Sequence, residues 1–306
     1  MDAVRNVVSK PGEKRPAGRG RLAAVRDVPH QRTRLEQAPP PTPGPGELVV
    51  RRRTLALSGV HLALVTGTAG PGRLPSDGTH LGTAGDAGTV IAIGEGVTRF
   101  AVGDEVFGRL RPRGTPWTPY VLTADGPHVE IRPDALEPEA AAAVVEGGLA
   151  AKTIVRAAGV QPGQTALVIG TNGRVGIVLV PLLVEAGVSV IATARPGDEA
   201  YVRSLGAAET IEDSARDAME TIARHPDVDL LVDLVSFAEP YFATARAVPT
   251  TGALVGVGQD ANASAAGFGI PRIELSAEPG DLVELARRAL GSDRHAGAGL
   301  PVAVAA

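Results

Sequence analysis

The chain has 306 residues, a formal net charge of −4, 44% hydrophobic residues and no cysteine. That length and apolar content allow two ordinary domains or one large one with a sizeable core, and the missing cysteine excludes disulfides, thiolate metal sites and a cysteine nucleophile. The slight negative charge sets nucleic acid aside as the main partner. No uninterrupted apolar run approaches the roughly 20 residues of a membrane span, and the charged N-terminus lacks a leader's apolar stretch, so a soluble cytoplasmic protein with no membrane partner is the expectation.

Residues 1–20 scatter Arg5, Lys10, Lys14, Arg15 and Arg19 among prolines and glycines, which predicts a basic, disordered extension. Leu22–Val25 and Leu48–Val50 read as strands separated by the proline-rich stretch Ala38–Glu47. Gly88–Gly94 reads as another strand, and Gly103-Asp104 as a turn before Glu105–Gly108. Short strands punctuated by glycine and proline predict a β-rich, barrel-like domain over 21–137. The pattern changes at Pro138, where an alanine-rich helix is predicted over 138–158, with Asp134 or Glu137 near its start and Gly159 at its end. Strand candidates then follow at 165–169, 188–193, 229–234 and 253–257, with helices at about 174–186, 198–205, 213–224 and 239–247 between them. This is the alternation of a doubly wound parallel sheet over 138–270. In the last segment, 271–306, Asp281–Leu290 reads as a helix and Pro301–Ala305 as a short strand.

The most informative stretch is Gly170-Thr171-Asn172-Gly173-Arg174-Val175-Gly176, set between the apolar strand Ala166–Ile169 and an apolar helix. Strand, glycine turn, helix and strand form the first unit of a dinucleotide-binding fold. Gly170 allows a sharp turn off the strand, Gly173 lets the backbone approach a pyrophosphate, and Gly176 allows close helix–sheet packing. The helix N-terminus then favours the phosphates. The spacing is G-x-x-G-x-x-G rather than G-x-G-x-x-G, so the flanking strands carry the reading as much as the glycines do.

The next strand ends Thr193-Ala194-Arg195-Pro196-Gly197. Cofactors without a 2′-phosphate are held by an acid at this tip. Here Arg195 occupies it, and a guanidinium pairs well with phosphate. The cofactor reading is NADPH (NADP+); the plainer reading is a solvated arginine in a turn. Asp198 and Glu199 stand close by and are candidates to cap the following helix.

Several segments, in order, resemble the medium-chain dehydrogenase/reductase superfamily, in its zinc-free quinone oxidoreductase and enoyl reductase branch. They are Pro43–Val50, Ala87–Val90 with Gly94–Gly108, Ala158–Thr165 leading into the glycine turn, and Arg203–Ala207. The resemblance runs from about Arg21 to about Leu290. It implies an α/β fold, with a GroES-like β-rich N-terminal domain and a Rossmann doubly wound sheet, and a C-terminus shortened relative to the family. By position it places Val235, Ser236, Gly256 and Val257 beside the nicotinamide and makes Asp233 structural. Relatives commonly pair the edge strands of their Rossmann sheets into dimers. A homodimer is therefore expected, through an edge near Ala253–Gly258, with Pro301–Ala305 as a second candidate edge.

The departures from the family bear on chemistry. Ser58 and His61 fall where the family has a zinc cysteine (or an asparagine or tyrosine) and an aspartate. The stretch Leu81–Gly88 lacks the zinc branch's histidine. Zinc needs three protein ligands and an open position, so no metal is expected. Arg174 has two readings, a cation over the pyrophosphate or a side chain in solvent. Ser58, as a hydrogen-bond donor to a carbonyl, and His61, as a general acid, are the catalytic candidates, each weighed against a local turn cap and a packed ring. Tyr120 is a third hydroxyl, read as core. The function expected is NADPH-dependent reduction, without zinc, of a small molecule: an activated C=C bond (enone or enoyl thioester) or a quinone. The alternative is a non-redox or degenerate relative, a cyclase, lyase or scaffold that keeps the fold.

Overall fold

The computed structural model describes residues 39–56, 85–110, 119–212, 220, 224, 228–234 and 277–291, and the backbone alone of 21–27, 32–38, 253–256 and 302–304. The chain divides into two compact units, residues 1–146 with 278–306, and residues 147–277.

In the first unit, β1 (Arg21–Asp27) and β2 (Arg32–Ala38) pair antiparallel as a two-stranded sheet. A larger antiparallel sheet is organised by β3 (Glu47–Ala56). One edge of β3 bonds β4 (Asp86–Ile93), which leads on through β5 (Glu105–Gly108) to β7 (Val129–Ile131). Along the other edge, β6 (Tyr120–Ala124) pairs with residues 47–51 and β13 (Val302–Val304) with residues 54–56. Leu48 and Val50 of β3 pack with Val90, Phe100, Val106, Leu110, Val121 and Val129 in this unit's core.

β3 runs well past the Leu48–Val50 stretch read from sequence, because its arginines alternate. Arg51 and Arg53 are exposed, whereas Arg52 is buried. The Arg52 Nε lies 2.6 Å from Asp86 Oδ1, with both side chains almost fully buried. The two side chains form a buried ion pair. Near the C-terminus, α4 (Asp281–Gly291) turns Leu282, Leu285 and Ala286 inward. Its Asp281 carboxylate accepts the Glu278 N–H at 2.9 Å, satisfying one donor that precedes the helix.

The second unit holds the parallel sheet. It contains β8 (Thr165–Ile169), β9 (Ser189–Ala194), β10 (Glu209–Glu212), β11 (Val228–Asp233) and β12 (Ala253–Gly256). The strand order is β10-β9-β8-β11-β12, every pair parallel. Consecutive residues of β8 enter two different clusters. Ala166 and Val168 pack with Leu179, Val180, Leu183 and Val190, while Leu167 and Ile169 pack with Ile191, Val228 and Leu231. Burial on both faces is why these strands read as continuous apolar runs. The helix α1 (Pro138–Ala158) contributes Ala151 and Ile154 to the first of these clusters. It is followed by Gly159 at φ +58°, as a left-handed end requires. α2 (Gly176–Glu185) and α3 (Glu199–Ser204) make the βα connections. The helices expected at 213–224 and 239–247 lie outside the described residues, apart from Glu220 and Arg224. In this order the direction of winding reverses between β8 and β11, and the crevice at such a reversal is where doubly wound sheets take ligands.

Candidate dinucleotide-binding site

The glycine turn leaves the C-terminal end of β8 beside that reversal. Gly170 has φ +84°, a conformation that costs an L-residue roughly 1–2 kcal/mol. Its N–H donates to Thr193 Oγ1 at 2.9 Å, which ties the end of β8 to β9. Thr193 and Thr171 are both fully buried, and Thr171 Oγ1 donates to the Val168 carbonyl at 3.3 Å. Both hydroxyls therefore hold the turn together from inside.

Gly173 is exposed, and its N–H closes the turn on the Gly170 carbonyl at 3.0 Å. Gly176 departs from the expected role. A Cβ there would strike the backbone of Thr171, so its close approach lies within the turn. α2 starts at Gly176, two residues later than expected. Val175 at its N-cap has helical angles, no side chain caps the end, and the first turn holds no acid. An uncapped helix start behind an exposed glycine fits a pyrophosphate. Arg174 is half-buried and makes contacts of its own.

The sequence marks Glu146-Gly147-Gly148 as a departure from the family at the domain junction, but the packing role of Gly147 was not read from it. A Cβ at this position in α1 would run into the Arg174 carbonyl, so the helix passes directly against the turn's backbone. The signal available was the pair Gly147-Gly148, out of place in an alanine-rich helix.

At the tip of β9, Arg195 is exposed, and its guanidinium has no hydrogen bond or ion pair among the described residues. The two neighbouring acids are both engaged. Asp198 Oδ2 accepts from Asn172 Nδ2 at 2.9 Å, and Glu199 Oε2 accepts the Gly197 N–H at 3.0 Å. The expectation that they cap α3 is corrected for Asp198, which occupies the N-cap position but makes no side-chain cap bond because its carboxylate is on Asn172. Tyr201, one turn on, has its phenol pKa raised, first by burial and then by the Asp198 charge.

On the other side of the reversal, Asp233 ends β11, buried and level with Ile169 and Gly256. Gly256 ends β12. Val235, Ser236, Val257 and the catalytic candidates Ser58 and His61 lie outside the described residues. Tyr120 begins β6 half-buried, so it is not a core residue. Among the described residues no three histidine or acidic side chains gather to hold a metal. A groove of about 450 Å³ in the first unit is lined by Arg99, Asp125, Pro127, Glu130 and Leu282. Its arginine is already paired with Asp125 at 2.9 Å and Glu130 at 3.0 Å.

No protein-family model matches the sequence. A quinone oxidoreductase of Pseudomonas aeruginosa is 35% identical over 175 residues, 56% of this chain and 52% of that protein. The chain therefore spans about half the length of that curated relative. The crystal structure of an alcohol dehydrogenase superfamily protein from Novosphingobium aromaticivorans is 30% identical, with a TM-score of 0.62 over 77% of this chain and 71% of the other. The chain belongs to the medium-chain dehydrogenase/reductase superfamily. Within that superfamily its neighbours include quinone oxidoreductases and enoyl reductases. The Escherichia coli quinone oxidoreductase complexed with NADPH shares the fold at 18% identity, with a TM-score of 0.64 over 88% of this chain and 86% of that one. A GroES-like antiparallel unit and a Rossmann parallel unit are the two parts of this superfamily's fold.

Proposed function

We propose that this protein is an NADPH-dependent, zinc-free oxidoreductase that reduces an activated C=C bond, in an enone or enoyl thioester, or a quinone. The observation that carries the reading is the charge arrangement at the tip of β9. The Arg195 guanidinium is exposed with no partner among the described residues, while Asp198 and Glu199 are held by Asn172 and Gly197. A ribose 2′-phosphate is the group such a guanidinium suits. The glycine turn and the uncapped start of α2 would hold the pyrophosphate. Val235, Ser236, Gly256 and Val257 would border the nicotinamide, with Ser58 donating a hydrogen bond to the acceptor's carbonyl oxygen and His61 supplying its proton. When bound, the dinucleotide supplies the hydride. The relative named a quinone oxidoreductase supports the acceptor class, and the absence of cysteine from the chain supports the zinc-free reading.

The reading extends to a cytoplasmic homodimer. β12 is an edge of the described parallel sheet, and an apolar edge calls for a partner or a cover. β13 is paired with β3 on one side, and no described strand bonds its other side.

Titration of nicotinamide fluorescence tests the cofactor. NADPH should bind more tightly than NADH, and Arg195→Ala should erase the preference by removing about 1.5–3 kcal/mol, roughly ten- to a hundredfold in affinity. A panel of quinones, enones and enoyl thioesters then tests the reaction through NADPH oxidation. Tight binding without turnover of any of them would favour a non-redox member of the superfamily.

A further inference from the structure

Asn172 lies in the glycine turn, yet its side chain is engaged with β9's tip. Its Oδ1 accepts the Arg195 N–H at 3.1 Å, and its Nδ2 donates to Asp198 Oδ2 at 2.9 Å. The amide has one orientation, because a main-chain N–H only donates and a carboxylate only accepts. One side chain thus fixes both the arginine's backbone and the nearest carboxylate. That carboxylate is half-buried, close enough to Tyr201 for its charge to bear on the phenol.

Released, Asp198 would do three things, all of one sign. It would accept a hydrogen bond from an unphosphorylated ribose 2′-hydroxyl, as acids at this tip do. It would repel a 2′-phosphate. It would also be free to pair with Arg195 and cancel its charge.

Resting on the NADPH reading above, we infer that Asn172 is a positioning residue for cofactor specificity: by holding Asp198 it leaves Arg195 as the available charge toward the ribose 2′ position. Its effect runs through Asp198 and the Arg195 main chain, which separates it from the glycines that admit either nucleotide. An asparagine that only braced the turn would affect NADPH and NADH alike.

The test is a double-mutant cycle on the full chain. NADPH and NADH dissociation constants are measured by nicotinamide fluorescence for wild type, Asn172→Ala, Asp198→Ala and the double variant. Asn172→Ala should lower the NADPH-over-NADH ratio by about tenfold, with NADH binding kept or improved. Asp198→Ala should keep or raise the ratio. The double variant should return to the Asp198→Ala ratio, since no carboxylate remains to be released. Asn172→Ser, too short to span both partners, should behave as Asn172→Ala and serves if the alanine variant fails to fold. A wild type that prefers NADPH while both Asn172 variants keep its ratio overturns this inference alone. So does a double variant that matches Asn172→Ala. A wild type that binds neither nucleotide, or binds them equally, overturns the cofactor reading and this inference with it.

Discussion

Arg52 and Arg195 are both arginines on strands or strand tips, and their surroundings are opposite. Arg52 is buried in the antiparallel sheet, 2.6 Å from a buried carboxylate. Arg195 is exposed at the end of a parallel strand, and the acids beside it are bonded to other groups. A charge matched inside the fold belongs to stability. On the proposed reading, a charge left open where neighbouring acids are held elsewhere is available to a ligand. Sequence alone does not separate them, since each arginine stands in a short polar stretch beside an apolar strand.

The sharpest way to break this comparison is at Asp86. Asp86→Ala leaves the Arg52 guanidinium buried without its carboxylate, which should cost about 3–5 kcal/mol of stability, read as a large fall in the chemical denaturation midpoint. A loss under about 1 kcal/mol would mean that the pair is not what holds this region.

A smaller effect follows from pH. Burial outweighs the charge attraction of Arg52 and the hydrogen bonds from Arg52 and the Leu110 backbone, and raises the Asp86 carboxyl from 3.8 to about 6. The folded chain thus keeps a proton that the unfolded chain has released. The associated stability is complete below the unfolded value and is lost as pH rises through about 6. The shift corresponds to about 3 kcal/mol. The stability of wild type minus that of Asp86→Asn should therefore fall between about pH 4 and about pH 7 by this order. A flat difference would contradict the burial of a titrating Asp86.

Arg195→Ala is the counterpart. It should change stability by no more than about 0.5 kcal/mol, because the side chain is exposed and unpaired among the described residues. A loss of about 2 kcal/mol would place Arg195 with Arg52 among structural charges. The smallest effect is expected from metal removal. Chelation should leave NADPH oxidation unchanged, and stoichiometric zinc lost together with activity would contradict the zinc-free reading.

What was legible in the sequence follows from how local its cause is. The bounds of α1 and β8 match the reading, because an alanine-rich run, a terminal glycine and an apolar run are local signals. Gly170 was readable for the same reason, its φ of +84° being a demand on one residue. β2, Arg32–Ala38, and β10, Glu209–Glu212, were missed because polar strands carry little alternation. The second half of β3 was hidden by three consecutive arginines, one of which turns inward only because Asp86 waits on the next strand. At the site, the turn and Arg195 were legible, but the Asn172–Asp198 bond joins residues from two different βα connections. The contact of Gly147 with the turn depends likewise on where a distant helix passes. These are consequences of tertiary packing, to which propensity and spacing are blind.

The central claim is that the open charge at β9's tip serves a 2′-phosphate. Its most direct test is the wild-type affinity for NADPH against NADH at one moderate salt concentration. The account predicts that NADPH binds roughly ten- to a hundredfold more tightly. Equal affinities, or tighter binding of NADH, would contradict it.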